Sequence, residues 1–170
     1  MKTFLTFGVL AAFAMTAPVV AQAEQAAKAS FVGADGAANG TASLSATPAG
    51  VLIDVEVTGL PAGSWVAFHV HETGSCDPAT KHESAGGHFN PGDKKHGFKV
   101  AEGAHAGDMP NQYVGSDGTL RAQVLNAAVT LDDAATGIKG RALMVHAKAD
   151  DYATQPSGGA GDRLACGVIE

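Results

Sequence analysis

The sequence predicts an all-β fold, an antiparallel sandwich or barrel, and three observations carry that prediction. The chain is rich in glycine and poor in aromatics, with 22 Gly among 170 residues and 6% aromatic side chains. Several short segments alternate apolar and polar residues, the period of a half-buried strand rather than of a helix. Turn signals separate these segments at close intervals, as in sheets built from many short strands.

The chain opens with "MKTFLTFGVLAAFAMTAPVVAQA", in which Lys2 precedes an apolar run and the small-x-small triplet Ala21, Gln22, Ala23. This pattern reads as a secretory signal peptide over residues 1–23, leaving one domain over 24–170. The run is interrupted by Thr16 and Pro18, and no other segment approaches the roughly 18 apolar residues of a membrane span. An exported protein with no membrane or lipid anchor is therefore expected. Formal net charge is −6 at pH 7, and Lys2 is the only charged side chain in residues 1–23, so cleavage makes the balance more negative still. With no basic stripe anywhere, a nucleic-acid partner is not expected.

Strand candidates follow in order. "KASFVGAD" and "TASLSA" come first, then "VLIDVEV", the clearest, with Val51, Ile53, Val55 and Val57 on one face and Leu52, Asp54 and Glu56 on the other. Turns are expected at Asn39-Gly40, at Pro48 to Gly50 and at Gly59 to Gly63. Asn39 to Thr41 also matches a glycosylation sequon, which a hairpin turn explains more simply. "WVAFHVH", "TLRAQVLN", "GRALMVH" and "RLACGVI" complete the set. Two segments lack this rhythm, Glu72 to about Asn111 and Ala147 to about Asp162, and loops of the first length in a compact domain usually carry function. Cys76 and Cys166 are the only cysteines. In an exported chain they read as one disulfide, worth about 4 to 5 kcal/mol in the chain-entropy model.

Six of the seven histidines form a pattern. In "FHVH" the period of two puts His69 and His71 on one face, with Phe68 and Val70 toward the core. In "ALMVH" the same arithmetic turns Leu143 and Val145 inward and His146 outward. The first loop supplies His88, His96, His105 and Asp108 at spacings H-x7-H-x8-H-x2-D. Three imidazoles and a carboxylate suit tetrahedral zinc. Four imidazoles in a flatter arrangement suit copper(II), and His69, His71 and His146 lack one nitrogen that His88 can supply to both sets. An imidazole serving two cations loses both ring protons, which strong local charge makes feasible. Taken singly, each histidine fits a surface or hydrogen-bonded role equally well, and His82, the one left over, reads as solvated loop.

"GSWVAFHVHETGSC", "SAGGHFNP", "KHG", "HAGDMPN", "GRALMVHAKADD" and "GGAGDRLACGVI", in that order, resemble the copper,zinc superoxide dismutases of the bacterial exported type, from about Ala27 onward. The resemblance implies a Greek-key, immunoglobulin-like barrel of about eight strands with two long functional loops; the family is itself a standard example of that architecture and of diffusion-limited catalysis. It implies copper on His69, His71, His88 and His146 and zinc on His88, His96, His105 and Asp108. Asp150 matches a carboxylate joining a copper histidine, His69, to a zinc histidine, His96, with Asp151 the neighbouring alternative. Arg163 matches an arginine that attracts superoxide, and His88 would carry the proton of the cycle. Lys94, Lys95, Lys99 and Lys148 are candidates for further attraction, while Asp162 and the lysine-free "DDYATQPSGGAGD" depart from the pattern and weaken it. Periplasmic location follows from the export signal. Trp65, Phe98, Met109 and Tyr113 are candidates for an apolar patch at a homodimer contact, each equally able to lie buried under a loop. A metal storage or delivery protein without turnover is the alternative; a zinc hydrolase would need an open zinc position that Asp108 closes, and a purely structural sandwich leaves the histidine spacing unexplained.

Overall fold

The computed structural model describes residues 26–170; the signal-peptide assignment to residues 1–23 lies outside them. Among the described residues there are nine strands: β1 (Ala26–Gly33), β2 (Ala38–Thr47), β3 (Gly50–Val57), β4 (Trp65–Val66), β5 (Phe68–His71), β6 (Gln112–Tyr113), β7 (Leu120–Asn126), β8 (Ala142–His146) and β9 (Arg163–Ile169). Seven form one curled antiparallel sheet in the order β5-β8-β9-β1-β2-β3-β7, and β4 and β6 pair separately. β1 to β3 run as a meander, while β9 returns beside β1, the long return of a Greek key. Among the described residues the only helical pieces are two 3₁₀ turns, Pro78–Thr80 and Glu83–Ala85.

The alternation in β3 is realised as expected, with Val51, Ile53, Val55 and Val57 no more than 1% exposed. They meet Phe31, Leu44, Phe68, Val70, Leu120, Leu143, Val145 and Ile169 in one continuous core. β5 and β8 differ, being buried along their whole length. Phe68, Val70, Leu143 and Val145 face the main core, whereas Ala142 and Met144 join Ala85 and Cys166 in a second cluster under the first long loop.

Three expectations are corrected, and a choice left open for the apolar side chains is decided. "WVAFHVH" is two strands: Trp65 and Val66 pair with Tyr113 and Gln112, Phe68 to His71 with β8. Between them the Ala67 N–H donates to the Lys148 carbonyl at 2.8 Å, and its carbonyl accepts from the His146 N–H at 2.9 Å, so the chain changes partners there. Asn39-Gly40 is no turn. Gly40 lies inside β2 between Phe31 and Val57 beside a bulge, where a Cβ would overlap the Glu56 carbonyl, and the chain reverses over Ala34 to Gly36 instead. His82 is fully buried rather than solvated. Met109 is core, 1% exposed; of the other apolar-patch candidates, Trp65 and Tyr113 form an exposed edge-to-face pair, and Phe98 lies apart against Tyr152.

Packing of β3 on one face only has a measurable consequence. Ile53→Ala is expected to lower unfolding free energy by about 2 to 5 kcal/mol. Leu52→Ala on the outer face, where Leu52 is 37% exposed, should stay within about 0.5 kcal/mol. Urea unfolding of both variants checks this; equal losses would contradict the burial pattern.

Candidate metal centre

Two clusters of metal-ligating side chains share one member. His69, His71, His88 and His146 form the first, and His88, His96, His105 and Asp108 the second, with ligand atoms in each within 4.8 Å of one another. β5 supplies His69 and His71 and β8 supplies His146, adjacent strands whose outward residues face the same loop. That loop bridges back onto β5, His88 opposite His71 and Asp108 opposite His69, which seats its ligands over the strand.

Hydrogen bonds on the far side of each ring orient the first cluster. His69 donates Nε2–H to Asp150 Oδ2 at 3.0 Å, and His71 donates Nδ1–H to the Gly86 carbonyl at 2.9 Å. His146 Nδ1 faces the Gly161 carbonyl at 3.4 Å. These partners turn His69 Nδ1, His71 Nε2 and His146 Nε2 inward. The last two face each other at 3.3 Å. His69 Nδ1 and His88 Nε2 are buried with no hydrogen-bond partner. Buried ring nitrogens without partners are costly, so the site has the chemistry of a cation cage. These observations show that the residues present fit a bound metal.

In the second cluster Asp108 Oδ1 lies 2.9, 3.1 and 3.4 Å from Nδ1 of His88, His96 and His105. Its Oδ2 accepts from the backbone N–H groups of Gly97 and His105 at 2.9 and 3.0 Å, which fixes the carboxylate rotamer. Asp150 joins the clusters: besides His69 it accepts from His96 Nε2 at 3.0 Å and from the Tyr152 N–H at 2.6 Å. Of the neighbouring acids Asp150, not Asp151, takes this place; Asp151 caps its own loop at Ala153 and Thr154.

Burial holds His146 down to about 3, helped by neighbouring His69 and His88, and pushes His71 well below its usual value. It lowers His69 to about 4, only partly opposed by the bond to Asp150. His96 goes the other way. Burial pulls it down, but bonds to Asp108 and Asp150 outweigh this and raise it to about 9. Both carboxylates, which burial alone would raise, are held well below the usual range by their histidine donors. The ring nitrogens of His69, His71 and His146 are therefore neutral, the form that binds metals.

Arg163 opens β9 directly opposite His146. Nη1 donates to the His82 carbonyl at 2.8 Å and Nη2 to the Gly86 carbonyl at 2.9 Å, the same oxygen that orients His71. The Cys76–Cys166 disulfide is formed, with Cα atoms 5.5 Å apart, and ties this loop to β9 three residues beyond Arg163. Of the candidate lysines, Lys99 donates to the Asp151 carbonyl and lies over Tyr152, while Lys94, Lys95 and Lys148 are exposed.

Three supporting residues escape sequence reasoning. Gln155 makes a reciprocal pair with the His96 backbone, both bonds 2.9 Å, and Asn111 does the same for Asp150 at 2.8 and 2.9 Å. Gly158, at φ +69, leaves space that the Asp150 carboxylate occupies. Amides and glycines in loops follow no spacing rule, so no signal marks them.

Stability of the metal-free protein should depend on pH. For His69, His71 and His146 the folded state resists protonation. Their contribution is present above the unfolded value of 6.5 and lost as pH falls through the lowered values; the His69 shift alone amounts to about 3 kcal/mol. His96 contributes below 6.5 and loses its contribution as pH rises through about 9. Chelator-stripped protein should therefore show its highest Tm near pH 6.5, with a fall toward pH 4 and a smaller one toward pH 9, readable by circular dichroism. A profile flat over that range would contradict these assignments.

Residues 38–169 match the family model for copper/zinc superoxide dismutase (SODC). A copper,zinc superoxide dismutase of Aquifex aeolicus is 48% identical over 147 residues, 84% of this chain and 85% of that protein. The enzyme of Caulobacter vibrioides is 37% identical over 80% of each. Among solved structures, a Cu/Zn superoxide dismutase from Brucella abortus superposes with TM-score 0.71 at 32% identity, covering 86% of this chain and all of that one. A SOD-like protein from Bacillus subtilis gives TM-score 0.78 at 38% identity, over 82% of this chain and 95% of that one.

Proposed function

The chain belongs to the copper/zinc superoxide dismutase family, and from that premise we propose which of its residues serve each metal and the substrate. The protein is an enzyme that converts two superoxide anions and two protons to dioxygen and hydrogen peroxide, with copper and zinc as cofactors.

Copper is assigned to His69 Nδ1 and to Nε2 of His71, His88 and His146, and zinc to Nδ1 of His88, His96 and His105 with Asp108 Oδ1. The observation that carries this assignment is the pair of buried, unpartnered nitrogens, His69 Nδ1 and His88 Nε2, beside the inward Nε2 atoms of His71 and His146. Four nitrogens suit copper, and three nitrogens with one carboxylate oxygen suit zinc. When bound, copper supplies the one-electron chemistry, accepting an electron from one superoxide and returning it to a second. The chain supplies geometry and protons. Asp150 and the carbonyls of Gly86 and Gly161 keep lone pairs turned inward. His88 would hold copper at Nε2 and, with that atom freed in the first half-cycle, would take up a proton there and deliver it to the peroxide product in the second, while its Nδ1 stays in the zinc set. Arg163 draws the anion toward this cluster against a formal molecular charge of −6.

Export to the periplasm, through residues 1–23 and ahead of one domain over 24–170, is the location we assign; the bacterial source of the relatives supports it. The acidic balance supports a reading without a nucleic-acid partner, and no helix among the described residues is long and apolar enough to cross a membrane. The exposed Trp65–Tyr113 pair supports a homodimer contact.

Purified protein is expected to hold one copper and one zinc per chain and to remove superoxide rapidly. His88→Ala should lower the content of both metals and abolish turnover. Arg163→Ala should retain both metals and lose about tenfold in rate at low ionic strength. Elemental analysis beside pulse radiolysis checks all three, and a protein that holds both metals without turnover would turn the reading to storage.

A further inference from the structure

Arg163 has a third partner of a different kind. Glu83 Oε2 lies 3.3 Å from Nη2, with the Glu83 side chain 71% exposed and the Arg163 side chain 15% exposed. Glu83 begins the 3₁₀ turn Glu83–Ala85, between the two residues whose carbonyls hold the guanidinium. The turn that fixes the arginine thus also sets a carboxylate beside it.

Magnitudes separate the two roles open to this carboxylate. The bonds to the His82 and Gly86 carbonyls are short, at 2.8 and 2.9 Å, and they already fix the guanidinium in plane and position. An ion pair with one largely exposed partner adds little to that. Its effect on charge is larger, because a carboxylate in contact with a guanidinium offsets the attraction an incoming anion feels. The field at stake reaches the imidazoles: after burial and neighbouring histidines, Arg163 is among the causes that lower His71 and His146.

We propose that Glu83 is a rate- and selectivity-setting residue, a tethered counterion that an anion must displace from Arg163 on its way to the imidazole cluster. The proposal rests on the reading of Arg163 as the anion guide. An anion that reaches the guanidinium swings the exposed Glu83 side chain into solvent, so weakly attracted anions are held off and superoxide entry is slowed together with them. The position of the carboxylate in the sequence, just before the "SAGGH" run, gives no hint of this.

The test uses the full chain loaded with both metals, as Glu83→Gln, Glu83→Lys, Arg163→Gln and the double variant Glu83→Gln with Arg163→Gln. Metal content is checked in each. Dismutation rate constants are measured by pulse radiolysis over a range of ionic strength, and azide dissociation constants by visible absorbance titration. Glu83→Gln should raise the rate about two- to fivefold at low ionic strength and tighten azide by a similar factor, Glu83→Lys should exceed it, and salt should shrink both gains. In the Arg163→Gln background the gain should fall by more than half. If Glu83→Gln is unchanged or slower while Arg163→Gln is impaired, the counterion role falls and the reading of Arg163 stands. A gain of equal size with and without Arg163 overturns the proposal as well, since Glu83 would then be an ordinary surface charge. If Arg163→Gln changes neither rate nor azide affinity, the reading of Arg163 falls and the proposal with it.

Discussion

Four ring nitrogens converge in one buried space: His71 Nε2 and His146 Nε2 lie 3.3 Å apart, beside two more, His69 Nδ1 and His88 Nε2, that have no partner. What holds them there acts on the far side of the rings, where Asp150, Gly86 and Gly161 offer oxygens to the outward nitrogens. Two of those oxygens are positioned in turn: Asp150 by Asn111 and by the space left at Gly158, Gly86 by the turn that precedes it. A buried arrangement of this kind survives only when the surrounding backbone over-determines it, which is the general condition for a site prepared in advance of its ligand. The same carboxylate gives opposite results at its two donors. His69, deeper and hydrogen-bonded to no carboxylate but Asp150, stays neutral; His96, which also bonds Asp108, holds its proton more tightly.

The barrel contributes rigidity by burying two strands on both faces. β5 and β8 present Phe68, Val70, Leu143 and Val145 to the core and their histidines to the loop, so no ligand on them can shift without disturbing packing on the opposite side. One carbonyl then links the parts of the site. Gly86 accepts from both His71 and Arg163, so the ring that faces the cluster and the guanidinium beside it share a reference point. The disulfide secures the loop that carries this oxygen to the strand that carries the arginine.

Much of this was legible from residue spacing because period two and metal-ligand chemistry are local rules. β3 and the His69–His71 pair follow from alternation alone, and six histidines with one aspartate left little else for the loops to do. The missed features depend on packing between distant segments. Gly40 looked like a turn glycine, but it is needed where three strands crowd together. Ala67 breaks an otherwise continuous strand pattern because its backbone pairs with Lys148 and His146. His82 is buried by its loop folding back against Arg163, and Met109 turns inward because Asp108 is bridged to His69 and the next side chain points the other way. None of these contacts leaves a trace in the spacing of residues along the chain. Asp150 and Arg163 were found through family resemblance rather than local pattern, since a single acid or base in a polar loop has no period to betray it.

The bridges from His88 and Asp108 to β5 also bear on self-association. β5 is the outermost strand at its end of the sheet, and an open strand edge is a template on which another chain can add. Here the ligand-bearing loop occupies that edge, opposite His71 and His69. Order in the loop and monodispersity in solution are thereby tied to one stretch of backbone. A chain whose loop comes loose loses its chemistry and bares a sticky border in the same event.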